Sequence, residues 1–214
     1  MNLQMIIYFT LLSSILLYSI YRYKHLSTSN FFILAIVLYT LLNEYTIHFL
    51  SDSLSLNYIL YNVYAAVAAI LSLLAIRAEL NVVRHIRWLH AFIIISAALC
   101  AYSMFRYDIT RTFPFATIAF VFPIIILSSF FLYWQLLNSE IETPILKRST
   151  FWLASGLLIY HTLTFATMGV YTFFMNLSIS HSSGTLMFYI CMVYYGMLGY
   201  SIYLHGERPR TRRA

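Results

Sequence analysis

Seven apolar stretches, each long enough to cross a bilayer as a helix, follow one another with only short connections between them. They cover Leu3–Tyr21, Asn30–Leu50, Tyr58–Ile76, Trp88–Phe105, Phe113–Leu137, Thr150–Met175 and Thr185–Leu204. A backbone in hydrocarbon has no water to bond, so each stretch must satisfy its own amide groups, and a continuous apolar run does so as a helix. Strands of a membrane barrel would alternate in polarity over about ten residues; these runs do not alternate. The sequence predicts an all-α fold, a polytopic seven-transmembrane-helix bundle at residues 1–205 with a short basic tail at 206–214. Composition agrees, with 61% hydrophobic and 9% charged residues and a mean hydropathy of +0.77. A soluble domain of 25.0 kDa could not hide that much apolar surface. A soluble enzyme, a disordered chain and a disulfide scaffold are excluded on that ground.

The basic residues predict the orientation. Alternate connections and the tail hold Arg22, Lys24, Arg77, Arg84, Arg87, Lys147, Arg148, Arg208, Arg210, Arg212 and Arg213, whereas the opposite connections hold only Arg106 and Arg111. By the positive-inside rule this places the N-terminus outside and the C-terminus in the cytoplasm. The first span lacks a basic leader and a small-residue cleavage site, so it is expected to remain a span. The net charge of +6 is not read as a nucleic-acid footprint, because its basic residues sit at the rim where anionic lipids attract them. Arg77, Arg84, Arg87, Arg208, Arg210, Arg212 and Arg213 are accordingly the candidates for contact with membrane lipids or with a cytoplasmic or membrane protein partner. The longest cytoplasmic connection also holds Glu79, His85 and His90 and is expected to be a solvated rim. Cys100 and Cys191 fall inside spans and are expected to be buried free thiols. Many aromatic residues near span ends, among them Tyr8, Tyr21, Tyr58, Trp88, Tyr107, Trp134 and Trp152, are assigned to an interfacial belt.

Ionisable groups inside spans are costly and mark candidate sites. The second span carries Asn43, Glu44 and His48, followed by Asp52. Glu44, His48 and Asp52 recur every fourth residue and share a helix face. The third span begins with Asn57, Tyr61 and Asn62, and the sixth holds His161 near its middle. An outward-opening pocket lined by Glu44, His48, Tyr61, Asn62 and His161 is the candidate ligand site. The alternatives are that Glu44 and His48 only fix packing, or that Glu44, His48 and His161 hold a metal, for which a carboxylate and an imidazole one turn apart are suited. No cofactor is implied, and no nucleophile elbow, phosphate loop or dinucleotide fingerprint is present. Gly196 and Gly199 are spaced for a close helix contact, within the bundle or in a homo-oligomer.

Several families with this topology can be compared residue by residue. A division into three, one and three helices is similar to sugar transporters of the SWEET type, but the intramembrane prolines are confined to Pro114 and Pro123 in the fifth span. A rhodopsin is excluded, since both lysines, Lys24 and Lys147, lie in connections. The seven-helix zinc hydrolases of the alkaline ceramidase and adiponectin-receptor group carry a histidine pair in the last helix; here His205 has Ser201 one turn before it. Lysoplasmalogenase-like enzymes use intramembrane aspartates, whereas Asp52 and Asp108 lie in outer loops. The stretches Leu60-Tyr61-Asn62-Val63-Tyr64 and Phe151-Trp152-Leu153-Ala154-Ser155-Gly156-Leu157-Leu158-Ile159-Tyr160 resemble small uncharacterised seven-helix bacterial membrane proteins, some of which precede sensor-kinase regions. The acidic residue usual after the first motif is absent from Ala65-Ala66-Val67-Ala68-Ala69. The resemblance implies a sensing role and transfers no catalytic residue. The expectation is a receptor or partner-coupling protein with a pocket for a small or lipid-like ligand. A metal-dependent lipid hydrolase, a small-solute transporter and a structural subunit of a membrane complex are the alternatives.

Overall fold

The computed structural model describes residues 3–50, 54–80, 91, 94–95, 98, 101–102, 115–137, 144–174 and 180–206. Among the described residues the chain is helical, with no strand. We label the helices α1 (Leu3–Tyr21), α2 (Thr28–Tyr45), α3 (Leu54–Leu80), α4 (Phe115–Leu137), α5 (Ser149–Phe174) and α6 (Ser180–Gly206). They correspond to the first, second, third, fifth, sixth and seventh apolar stretches. Residues Ala91, Ile94, Ile95, Ala98, Ala101 and Tyr102 on the fourth stretch are helical and exposed; the rest of that stretch lies outside the described residues. Four of the described helices contain segments long and apolar enough to cross a membrane, Leu3–Tyr21, Thr28–Phe49, Ile59–Glu79 and Thr185–His205. This is the signature of an integral membrane protein.

Each helix buries one stripe and leaves the opposite face to its surroundings. In α1 the buried residues are Tyr8, Leu12, Ile15 and Ser19, alternately four and three apart, while Leu3, Ile6, Ile7 and Leu17 are exposed. That spacing follows from 3.6 residues per turn. Exposed apolar side chains on the outer faces suit a hydrocarbon solvent, which removes the need for a polar exterior. The turn to α2 runs through a short 3-10 segment, Tyr23–His25. Ser27 then caps α2, its hydroxyl accepting from the Asn30 amide at 3.2 Å. At its far end α2 widens into a π-helical turn, Thr46–Leu50. A similar 3-10 segment, Ile145–Lys147, leads into α5, and the Trp152 indole donates to its Leu146 carbonyl at 2.8 Å.

The six helices pack in a closed cycle. Each contacts the next in order and α6 returns to α1, with α2 also touching α6 and α3 touching α5 across the middle. The most extensive contact is α5 on α6, followed by α2 on α3. Leu12, Ile33, Ile36, Leu73, Ile76, Ile124, Leu153, Leu157 and Leu198 fill the shared core. Two glycines set the closest approaches. A Cβ on Gly199 would lie 2.9 Å from Ile15 Cγ1, and one on Gly156 would lie 3.2 Å from Met197 Cβ. Small residues at such crossings let helix backbones approach, which is the main source of helix association where the hydrophobic effect is absent. Gly196, by contrast, has nothing within 4 Å of its Cβ position and faces outward. Of the two glycines the sequence singled out, Gly199 makes the contact inside the bundle.

Candidate functional site

Three hydroxyls meet where α2, α3 and α6 pack together. Thr40 Oγ1 lies 3.0 Å from Tyr64 Oη and 2.8 Å from Tyr195 Oη, and the two phenol oxygens are 2.7 Å apart. Thr40 Oγ1 also lies 2.8 Å from the Ile36 carbonyl oxygen, one turn back. Each hydroxyl owns a single hydrogen. The group therefore has three hydrogens for four close contacts, so any one arrangement leaves one contact without a hydrogen. Either Thr40 donates to Ile36 and the ring of hydroxyls is open, or Thr40 donates into the ring and the carbonyl contact is empty.

Aromatic rings surround this knot. Tyr39 stacks on Tyr64 with centroids 5.8 Å apart, and Tyr8 of α1 meets Tyr195 edge-on at 5.9 Å. Tyr194 lies 4.9 Å from Tyr195 and stacks on Tyr160 of α5 at 4.2 Å. Tyrosine is suited to such a place, because it fills apolar volume and keeps one polar tip to tie helices together. Tyr8 is thus a core residue, not part of the interfacial belt to which its position near a span end assigned it. Trp152, held at the start of α5 by Leu146, keeps the end-of-helix place expected of it.

Glu44 stands one turn beyond Thr40 on α2 and is half-buried. The thiol of Cys191 on α6 is free. Beside Glu44 on α2, Asn43 is 6% exposed and its Nδ2 has no hydrogen-bonding partner. A buried amide donor left without an acceptor is costly.

The other predicted site residues divide. Tyr61 is 43% exposed on α3. Asn62, the next residue on α3, is buried. His48 lies on the π-helical turn, exposed, with its ring edge-on to Phe49 at 4.9 Å. His161 is 7% exposed on α5, its ring against Tyr160 at 5.1 Å and its Nε2 without a partner. Among the described residues the hydrogen bonds and ring contacts join none of Tyr61, His48 and His161 to Glu44. Among the described residues no three His, Cys, Asp or Glu side chains form a set that could hold a metal ion. Asp52, Arg84, Arg87, Arg208, Arg210, Arg212 and Arg213 lie outside the described residues.

At the other end of α2 the expected solvated rim is partly structured. The Ser29 hydroxyl donates to the Glu79 carboxylate, tying the start of α2 to the end of α3. Arg77 is half-buried. Ser201 of α6 donates to the Ser149 carbonyl of α5 at 2.8 Å. Thr40, Tyr64 and Tyr195 were not expected as site residues; Asn43 was expected in the polar cluster of the second span, though not in the pocket. The available signal was position: Tyr64 and Tyr195 lie well inside their spans, where a belt residue does not belong. No protein family, no curated protein and no solved structure matches the chain.

Proposed function

We propose that the chain is a seven-span receptor or partner-coupling protein of a bacterial cytoplasmic membrane, which takes a small or lipid-like ligand beside Glu44. The observation that carries this reading is the hydroxyl knot of Thr40, Tyr64 and Tyr195 with Glu44 and the unpartnered Asn43 amide next to it. Three helices are tied through a network that has two hydrogen-bond arrangements. A ligand that offers an acceptor to Asn43, or a donor to Glu44, would favour one arrangement over the other. Differential interaction with two states is what a receptor requires. Ligand contact then falls to Glu44, Asn43, Tyr61 and Asn62, with Tyr64 passing the change to α6. The basic connections would present the response to a membrane or cytoplasmic partner.

The test is chemical extraction of the protein purified from its host membranes, followed by mass spectrometry of whatever the bundle retains. A single species held by the wild type and lost from Glu44→Gln supports the reading. A bundle that retains nothing, or retains the same molecule equally with Glu44→Gln, contradicts it.

A further inference from the structure

Four buried side-chain atoms without a hydrogen-bonding partner, Tyr18 Oη, Arg22 Nε, Asn30 Nδ2 and Arg77 Nε, belong to one end of the bundle. There α1 finishes, α2 begins and α3 finishes. Ser29 and Glu79 pin the start of α2 to the end of α3. The Arg22–Ser27 turn joins α1 to α2, and Tyr18 contacts the Tyr203 ring of α6 at 6.0 Å. Asn30, the residue after Ser29, is 2% exposed.

The chemistry of these atoms is one-sided. Arginine Nε and asparagine Nδ2 are donors only, and the tyrosine hydroxyl can donate as well. Water has been taken from each, and among the described residues no acceptor replaces it. The charge of the described residues has the same sense: Arg22, Arg77 and the buried Arg148 stand at this end with Glu79, whose carboxylate receives Ser29. Lys24 and His25 are exposed alongside. Unpartnered donors at the ends of α1 and α3 and the start of α2, with a cationic surplus among the described residues there, suit an anion that carries several acceptor oxygens, and charge-assisted bonds from arginine to phosphate are among the strongest available.

We propose that this end of the bundle binds a phosphate-class anion through Arg22, Asn30 and Arg77, with Tyr18 as a fourth donor. A phospholipid headgroup and free phosphate share that chemistry. The site lies at the opposite end of α2 from Glu44, so it stands or falls independently of the ligand proposed there.

The experiment is native mass spectrometry of the full chain in detergent, with phosphatidylglycerol or phosphatidylcholine added and inorganic phosphate as competitor. The wild type is expected to prefer phosphatidylglycerol. Arg22→Gln with Arg77→Gln is expected to weaken that lipid by about thirtyfold, and Lys24→Gln, which removes only an exposed charge, by no more than about fivefold. Displacement of the lipid by inorganic phosphate identifies the headgroup phosphate as what is recognised. Phosphate bound without lipid, and lost in the double variant, identifies free phosphate as the natural ligand. Equal binding of the two lipids together with no phosphate binding overturns the proposal. So does a double variant with the wild-type preference. Should circular dichroism show the double variant unfolded, Asn30→Asp, which puts an anion in place of the donor, must lose the preference instead; if it keeps it, the proposal fails.

Discussion

Thr40, Tyr64 and Tyr195 make an unusual prediction because their contacts outnumber their hydrogens. Removing the Tyr64 hydroxyl leaves two hydrogens for two contacts, Thr40 to Ile36 and Tyr195 to Thr40, and nothing is orphaned. Tyr64→Phe, and by the same count Tyr195→Phe, should therefore cost less than about 1 kcal/mol, in the range of single hydrogen bonds in membranes. Thr40→Val leaves two phenol hydrogens with only one phenol–phenol contact. A buried donor then has no acceptor, and the loss should be about 1–3 kcal/mol. Denaturant titration of the three variants in detergent micelles checks the order, and a Tyr64→Phe as costly as Thr40→Val would refute the hydrogen count. Glu44, Asn62 and His161 were legible in the sequence, because amides, carboxylates and imidazoles stand out in an apolar run. The hydroxyl knot was not. Thr10, Ser14, Thr46 and Thr167 each satisfy themselves on the carbonyl one turn back, and periodicity does not say which hydroxyl instead reaches a neighbouring helix.

At the scale of elements, apolar length located the helices well. The first span coincides with α1, and the fifth and sixth differ from α4 and α5 by no more than two residues at an end. The third and seventh agree with the apolar segments Ile59–Glu79 and Thr185–His205 to within three residues at an end, and the helices that carry them, α3 and α6, continue into polar residues at Leu54–Leu80 and Ser180–Gly206. Hydropathy marks the hydrocarbon boundary, whereas a helix continues past it while its backbone bonds persist. The faces that meet were less legible. Gly196 and Gly199 have the same residue type and lie three apart, yet only Gly199 meets Ile15. Gly199→Ala should destabilise the bundle by about 1–3 kcal/mol through overpacking. Gly196→Ala should be neutral or stabilising by up to about 1 kcal/mol, from helix propensity alone. Equal melting temperatures for the two variants would contradict the α1–α6 packing. Ser29→Ala removes a bond to a carboxylate that joins α2 to α3, and a loss of about 1.5–3 kcal/mol is expected in the same assay.

Across the whole molecule, six described helices form a closed cycle, with helical residues on a further apolar stretch between α3 and α4. The cycle explains how scarce polar groups come to face one another. Helix α6 is distant in sequence from α2 and α3, but closure brings it against both α1 and α2. The account of sensing depends on the basic connections lying together on the cytoplasmic side, and that in turn depends on seven crossings. The number of crossings has a parity that can be measured. An odd number puts the termini on opposite sides, and six would put them on the same side. Reporter domains that work on only one side of the membrane, fused separately to each end of the full chain, read this directly. The predicted result is a C-terminal reporter active in the cytoplasm and an N-terminal one active outside; both termini on one side would contradict the seven-span bundle.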